Sequence, residues 1–487
     1  MSPLTSFGDL ALFSRALSCC YYSEQAGEKV SEMSMKRAHG PAAANAATRR
    51  DHLKDLLSSI ENRTAVVGVI GLGYVGLPLV LLFVEAGFPV VGFDVDKKKT
   101  AALQRGDSYI RHIGPERVAD AVRKSRLSAT TDFEQIRRCD AVIICVPTPL
   151  GTHREPDLTY IRVTAEEIAM RLRPGQLVVL ESTTYPGTTR EEMLPRLERN
   201  GLHCGADFFL AFSPEREDPG NREFSTRDIP KVVGGIDAAS RDAAVALYSS
   251  IVRRVVPVSS VEVAESAKLL ENIFRAVNIA LVNELKIVFD RMGIDVWEVI
   301  EAAKTKPFGF MPFYPGPGLG GHCIPLDPFY LTWKAAEYGV WTRFIELAGE
   351  VNTSMPRYVV GRVTDAINQQ GKSIVGAKVL VLGLSYKPDV DDDRESPSFE
   401  IIELLQERGA IVAYCDPYIL AARKGRKYDL GLSSTPCSAE EFARYDAVVL
   451  ATAHRQFKDP ALYAGVKLAI DTRNVIPPGS GRVVVKA

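Results

Sequence analysis

Cys323 lies in a glycine-rich string, Gly316-Pro317-Gly318-Leu319-Gly320-Gly321-His322-Cys323-Ile324-Pro325-Leu326-Asp327, and far upstream stands a dinucleotide fingerprint, Gly71-Leu72-Gly73-Tyr74-Val75-Gly76. A thiol can hold an aldehyde covalently while a nicotinamide takes hydride from it. A chain with both has the parts to oxidise an alcohol in two steps, through to a carboxylate. Lys268 and Asn272, four apart in a helix-forming stretch, project from one face and set ammonium and amide donors side by side, as a developing oxyanion needs. Asp327, four residues beyond the thiol, has the chemistry to orient a water or act as a base. Glu215 follows the apolar run 208–212, and a carboxylate at the C-terminal end of a strand is well placed for an active site. Each also has a plainer reading: an inert buried thiol, a solvated helical lysine, and a solvated loop of three acids and an arginine around Glu215. The glycines favour the chemical reading of Cys323, because they let a substrate approach the backbone.

These residues need elements to hold them. Residues 65–70 read as an apolar strand, 76–86 as a helix and 89–95 as a second strand. The fingerprint thus sits between strand and helix, where its glycines permit the tight turn and let a phosphate reach the helix N-terminus. The alternative is that the glycines serve helix–strand packing alone. Asp94, near the end of the next strand, suits the adenosine ribose and repels a 2′-phosphate, favouring NAD over NADP. Lys97, Lys98 and Lys99 just beyond weaken that exclusion. Later apolar runs at 141–146 and 177–180 follow helical stretches, as in a parallel sheet covered on both faces. Residues 263–303 are nearly all helix-forming. Leu269, Leu270, Ile273, Phe274 and Val277 give this stretch too much apolar surface for a solvated spacer, so it runs between domains or builds a subunit interface.

A second strand–turn–helix unit starts at 378–382 and continues through short strands at 411–415, 447–451 and 467–470. Its first turn has only Gly383, so it lacks the dinucleotide fingerprint. Lys387, Arg394 and Arg473 follow its strands, where cations suit a pyrophosphate. The expected architecture is α/β: two Rossmann-like parallel-sheet domains joined by a long central helix. The expected divisions are a flexible extension over 1–48, a dinucleotide-binding domain over 49–262, a central helical region with the cysteine loop over 263–350, and a C-terminal α/β domain over 351–487. A short amphipathic helix over 50–60 follows the extension.

Composition narrows the function classes. Apolar content of 46% and charged content of 24% are ordinary for a globular protein, and a net charge of −1 leaves no footprint for nucleic acid. The eight cysteines show no CxxC pairing, which argues against a zinc site, any other metal centre or a disulfide scaffold, and for a reducing, cytoplasmic setting. Residues 65–84 carry no charge and are long enough to span a bilayer, but four glycines and Pro78 interrupt them, so they read as strand and helix.

Taken together, Gly71 to Gly76, Ser182-Thr183, Ser213-Pro214-Glu215, Lys268 with Asn272, the string from Gly320 to Asp327, and Tyr386-Lys387 with Arg394-Glu395-Ser396 resemble the UDP-glucose/GDP-mannose dehydrogenase family over roughly residues 50–480. Their joint order is far more specific than any one motif. The resemblance implies NAD as cofactor, a UDP-sugar as substrate, and a four-electron oxidation at C6. It also implies a homodimer or larger homo-oligomer built on the central helix. It assigns Gly71, Gly73, Tyr74, Val75, Gly76, Asp94, Thr148 and Thr183 to the cofactor. Cys323 becomes the nucleophile, Lys268 and Asn272 the oxyanion donors, Thr183 and Asp327 the groups that position water or take the first proton, and Glu215 the carboxylate for thioester hydrolysis. Glu215, Lys268, Asn272, Gly320, Lys387 and Arg473 fall on substrate-binding positions. One departure stands out: where UDP-glucose enzymes carry a second glutamate, this chain has Pro219, and Glu217 does not take its place by position. The stretch 213–221 and Pro307-Phe308-Gly309-Phe310 instead resemble the branch acting on UDP-N-acetylglucosamine, whose product feeds bacterial O-antigen or capsule. UDP-glucose and UDP-N-acetylmannosamine stay open. A β-hydroxyacid dehydrogenase lacks the thiol and the second α/β unit; a binding-only protein would have lost catalytic groups that are all present here.

Overall fold

A computed structural model describes residues 42–110, 113–151, 155–216, 226–321, 323–423, 428–479 and 481–487. The unit Arg49–Ala487 contains two sheets. In chain order the first part runs α1 (Ala42–Glu61), β1 (Val67–Ile70), α2 (Gly76–Glu85), β2 (Val90–Phe93), α3 (Lys97–Arg105), α4 (Pro115–Arg123) and β3 (Leu127–Thr130). It continues with β4 (Ala141–Ile144), α5 (Thr159–Ala169), β5 (Leu177–Leu180), α6 (Leu194–Leu197), β6 (Phe209–Phe212), β7 (Lys231–Gly235), α7 (Ala238–Ser249) and β8 (Val255–Pro257). The helix expected over 50–60 already begins at Ala42, because alanines are the best helix formers. Its Leu56 and Ile60 join the core on one face of the sheet.

The first sheet has strand order β3-β2-β1-β4-β5-β6-β7-β8. The order reverses between β1 and β4, the switch point where open α/β sheets bind ligands at their C-terminal strand ends. It is not wholly parallel as expected: β7 runs antiparallel to β6. Residues 65–84 resolve into β1, the turn and α2, and among the described residues no helix is long and apolar enough to cross a membrane.

Three helices carry the middle of the chain. α8 (Val261–Met292) spans 32 residues, about 48 Å at 1.5 Å per residue. The Ser260 side chain caps its N-terminus and left-handed Gly293 ends it. After α9 (Val296–Lys304), α10 (Cys323–Glu337) and α11 (Arg343–Gln369) pack along α8. A buried amide chain ties α11 and the segment before α10 to α8: Asn283 donates to Asn352 (2.9 Å), Asn352 to the Ala276 carbonyl (3.0 Å), and Gly316 N–H to Asn283 (2.9 Å).

The second sheet comprises β9 (Lys378–Leu382), β10 (Ile411–Cys415), β11 (Ala447–Leu450), β12 (Leu468–Asp471) and β13 (Val483–Lys486), ordered β10-β9-β11-β12-β13 with every pairing parallel. α12 (Pro397–Glu407) and α13 (Ala439–Phe442) flank it. Cys415 and Cys437 form a disulfide, their Cα atoms 6.2 Å apart, against the expectation of thiols alone. Their 22-residue separation hides the encounter: the chain returns past β10, with Thr435 N–H bonded to the Tyr414 carbonyl at 2.8 Å.

Candidate active site

The dinucleotide turn closes because its outer glycines leave no room for a side chain. A Cβ on Gly71, at φ +95°, would lie 2.5 Å from the Cys145 carbonyl oxygen, and one on Gly76 only 1.9 Å from the Gly71 oxygen. Gly73 differs: a Cβ there would meet nothing within 4 Å. The open side lies at the start of α2, where Val75 offers no side-chain cap, so the turn fits a dinucleotide pyrophosphate. Asp94 is buried just after β2; Oδ2 accepts from Leu72 N–H and Lys99 Nζ, both at 3.0 Å, and Oδ1 from Asp96 N–H at 2.9 Å. Lys99 is therefore Asp94's own partner. Thr148 is buried after β4, its carbonyl accepting from the Tyr330 hydroxyl of α10 at 2.6 Å. Tyr74 lies under the Arg394 guanidinium, 5.0 Å from ring centroid to Cζ, which brings the second α/β unit to the dinucleotide turn.

One face of α8 gathers the next group. Lys268 Nζ donates to Thr183 Oγ1 at 2.7 Å, and Asn272 Nδ2 to Asp327 Oδ2 at 2.5 Å. Arg275, one turn on, donates to Asn272 Oδ1. Asp327 is almost wholly buried; burial pushes its carboxyl up to about 6, against the opposing pull of Lys268, Asn272 and Arg275. Its Oδ1 has no hydrogen-bond partner among the described residues, an opening for a water or substrate hydroxyl. Glu265, one turn before Lys268, accepts from Gly187 N–H (2.6 Å), Thr189 N–H (2.9 Å) and Thr189 Oγ1 (2.7 Å). It thereby pins the segment after Thr183 to α8.

Cys323 opens α10 and does not stand in a loop. Cys323 and Asp327 are one helical turn apart on one face. Pro325 is tolerated there because first-turn amides need no intrahelical acceptor. The Cys323 side chain, His322, and Glu217 and Pro219 within 217–225 lie outside the described residues. The glycines before the thiol have a packing role that their sequence alone does not show. A Cβ on Gly320 would sit 2.6 Å from Tyr386 Cβ, one on Gly321 2.8 Å from the Tyr386 ring, and one on Gly316 2.3 Å from Arg473 Nη1. Their bareness admits the second α/β unit, and Gly321 N–H bonds the Arg394 carbonyl at 3.0 Å.

Glu215, after β6, accepts from Lys231 Nζ at 2.8 Å and Arg216 N–H at 2.7 Å. The Arg216 guanidinium forks onto Glu271 of α8, next to Asn272, and tethers this loop to the helix. Arg473, after β12, donates through Nε to the Ala451 carbonyl at 2.9 Å; burial lowers it to about 10, with Asp471 opposing. Lys387 is half-buried in the turn after β9, its carbonyl held by Ser385 Oγ at 2.9 Å. Direct bonds thus make two pairs on one face of α8, Lys268 with Thr183 and Asn272 with Asp327. Arg216 links Glu215 to Glu271, the neighbour of Asn272, Arg473 packs against Gly316, and Asp94 stays on the dinucleotide side. Arg275, Glu265, Glu181 and Lys231 were missed; only Arg275 and Glu265 carry a signal, one helical turn from Asn272 and Lys268.

Three consecutive family models match the chain, all of the UDP-glucose/GDP-mannose dehydrogenase family: the NAD binding domain over 65–252, the central domain over 262–354 and the UDP binding domain over 380–478. A UDP-N-acetyl-D-glucosamine 6-dehydrogenase of Pseudomonas aeruginosa is 39% identical over 395 residues, 81% of this chain and 91% of that protein. A UDP-N-acetyl-D-mannosamine dehydrogenase of Campylobacter jejuni is 36% identical, over 81% of this chain and 97% of that protein. The solved UDP-D-ManNAc dehydrogenase of Pyrococcus horikoshii superposes with a TM-score of 0.78 at 33% identity, over 86% of this chain and 98% of that one. With matched models over most of its length and an open dinucleotide turn to receive the cofactor, the chain belongs to the NAD-dependent UDP-glucose/GDP-mannose dehydrogenase family.

Proposed function

We propose that this enzyme oxidises the C6 hydroxymethyl of UDP-N-acetylglucosamine to the uronate through a thiohemiacetal and a thioester on Cys323. The observation that carries this reading is the bonded pairs Lys268–Thr183 and Asn272–Asp327, with Asp327 one helical turn from Cys323. Bound NAD supplies the hydride acceptor for both oxidations. Asp327, through its unpartnered oxygen and a water held with Thr183, takes the proton of the C6 hydroxyl. The Cys323 sulfur then bonds the aldehyde carbon, and Lys268 and Asn272 hold the oxyanion that forms. The covalent link keeps the aldehyde from escaping before the second oxidation. Glu215 takes a proton from the water that cleaves the thioester. Gly320, Lys387 and Arg473 hold the UDP-sugar, the two cations facing its pyrophosphate. By this reading residues 49–262 bind the cofactor, 263–350 carry the catalytic helices and 351–487 bind UDP.

The resemblance of 213–221 to the N-acetylglucosamine branch, with the P. aeruginosa relative, favours that substrate; UDP-N-acetylmannosamine is the second reading, favoured by the C. jejuni and P. horikoshii relatives. A surface-polysaccharide pathway in the cytoplasm, where NAD and UDP-sugars are made, is the matching setting. Leu270, Phe274, Leu281, Val288 and Met292 form an exposed apolar stripe along α8, which supports a homo-oligomer built there. The test is NADH release against UDP-glucose, UDP-N-acetylglucosamine, UDP-N-acetylgalactosamine and UDP-N-acetylmannosamine. Two NADH per UDP-N-acetylglucosamine, with little from the others, is expected. Preference for another sugar overturns the substrate assignment alone, and silence across the panel overturns the activity. Cys323→Ser is expected to stop uronate formation while NAD still binds; near-normal uronate output would sink the thioester route.

A further inference from the structure

Lys231, the first residue of β7, is buried between two carboxylates. Its ammonium meets Glu215 Oε2 at 2.8 Å and also pairs with Glu181, which follows β5 and is wholly buried. Among the described residues, further groups face this cluster from the ends of β4 and β6 and from α7. Cys145, after β4, places Sγ 3.6 Å from Glu181 Oε2, and the Tyr248 ring of α7 lies 5.3 Å from the ammonium. Arg216 offers its backbone N–H to Glu215 but sends its guanidinium to Glu271. Two carboxylates sharing one ammonium carry a net charge of −1 away from water. Taking up one proton makes that trio neutral, whereas a one-to-one Lys–Glu pair is neutral already and resists protonation.

We propose that Lys231 and Glu181 are positioning residues for Glu215: Lys231 clamps its carboxylate, and Glu181 shares the ammonium so that Glu215 keeps enough basicity to accept a proton. The proposal rests on Glu215 being the hydrolytic base. In that step a water O–H proton passes to Glu215 while the water oxygen bonds the thioester carbon. The C–S bond then breaks with its electron pair returning to sulfur, Cys323 is left as thiolate, and the new carboxyl group loses its proton to solvent. Nothing else is consumed.

The experiment uses the full chain with NAD and the UDP-sugar that the panel selects. In Glu181→Gln the ammonium falls wholly to Glu215, which becomes a weaker base. Uronate release is expected to slow about tenfold or more, with the acid limb of its pH profile displaced to lower pH. The first NADH to form should keep its wild-type rate, and a sugar adduct should accumulate on the protein in intact-mass spectra. Lys231→Arg is expected to retain much of the activity that Lys231→Met loses. Wild-type release with an unmoved profile in Glu181→Gln overturns the proposal, as does equal slowing of early NADH and release, which marks a purely structural role. Glu215→Gln separates the two readings. If it stalls with the adduct while Glu181→Gln behaves as wild type, only the positioning role fails. If it releases uronate normally, the assignment of Glu215 fails and the proposal falls with it.

Discussion

The two sheets use the same local plan, strand, glycine turn, helix, strand and acid, for opposite ends. In the first, Asp94 closes β2 and meets Leu72 N–H, Asp96 N–H and one partly exposed lysine, Lys99, while Gly73 opens onto space. In the second, Asp416 closes β10 with its side chain fully buried. It accepts from Leu384 N–H (2.7 Å), Ser385 N–H (3.0 Å), Tyr418 N–H (2.7 Å) and Ile419 N–H (3.0 Å), and pairs with His454 Nε2 at 3.1 Å. Gly383 there, at φ +89°, has no spare space: a Cβ would lie 2.5 Å from Thr452 Cβ. An acid with a movable partner can be shared with a ribose, whereas one that serves four amides and an imidazole holds its own turn. The second sheet carries cations at its strand ends, Lys387 after β9 and Arg473 after β12.

The most severe way to probe this contrast is Asp416→Ala. It strands four amides, three of them fully buried, and His454, and should cost about 3–5 kcal/mol of stability, read by denaturant unfolding. Asp94→Asn should cost about 1 kcal/mol or less and act chiefly on the KM for NAD. Equal losses would erase the distinction between the two acids. Next come the glycines. Gly383→Ala combines a disfavoured φ with a clash and should cost about 2–3 kcal/mol, while Gly73→Ala should leave unfolding unchanged and weaken NAD binding.

pH offers a third handle. Burial works to raise the Asp416 carboxyl, but His454 and the backbone amides outweigh it and hold it below the ordinary carboxylate value. A depressed folded value means stability present above about pH 4 and lost as pH falls through the folded value, so the unfolding gap between wild type and Asp416→Asn should close in acid. Asp327 behaves the other way. Raised to about 6, it loses its basic form as pH drops through that value, so kcat should fall on the acid side of pH 6 while the second sheet stays folded. A kcat unchanged down to pH 5 would remove Asp327 from the proton path. The smallest effect concerns Lys99→Ala. Freed from its ammonium, Asp94 should repel a 2′-phosphate more strongly, so the preference for NAD over NADP should rise a few-fold, read as the ratio of kcat/KM values.

Much of the fold was legible because local rules govern it. Apolar runs broken by glycine turns predicted β1, α2, β9 and β10 to within a few residues, and Gly293 stops α8 where the helical pattern breaks. The α10 start was misread because Pro325 looks like a loop residue, although a helix tolerates proline in its first turn; Pro328 stands inside the helix itself. The antiparallel β7 and the Cys415–Cys437 bond depend on how the chain returns, which no local pattern encodes.

The sequence by itself determined the chemical inventory: a dinucleotide turn, a lysine and an amide on one helical face, a thiol with an acid four residues on, and a carboxylate after a strand. Those follow from residue type and short-range spacing. Only the tertiary structure decided who touches whom. Lys268 finds Thr183 across 85 residues, Asn272 finds Asp327 across 55, and Lys231 stands between Glu181 and Glu215 because β5, β6 and β7 lie side by side. The glycines before Cys323 gain a packing role for the same reason: Tyr386 and Arg473, for which they leave room, arrive from the second α/β unit. Charge pairing and steric fit act over a few ångströms, and strand order sets those distances.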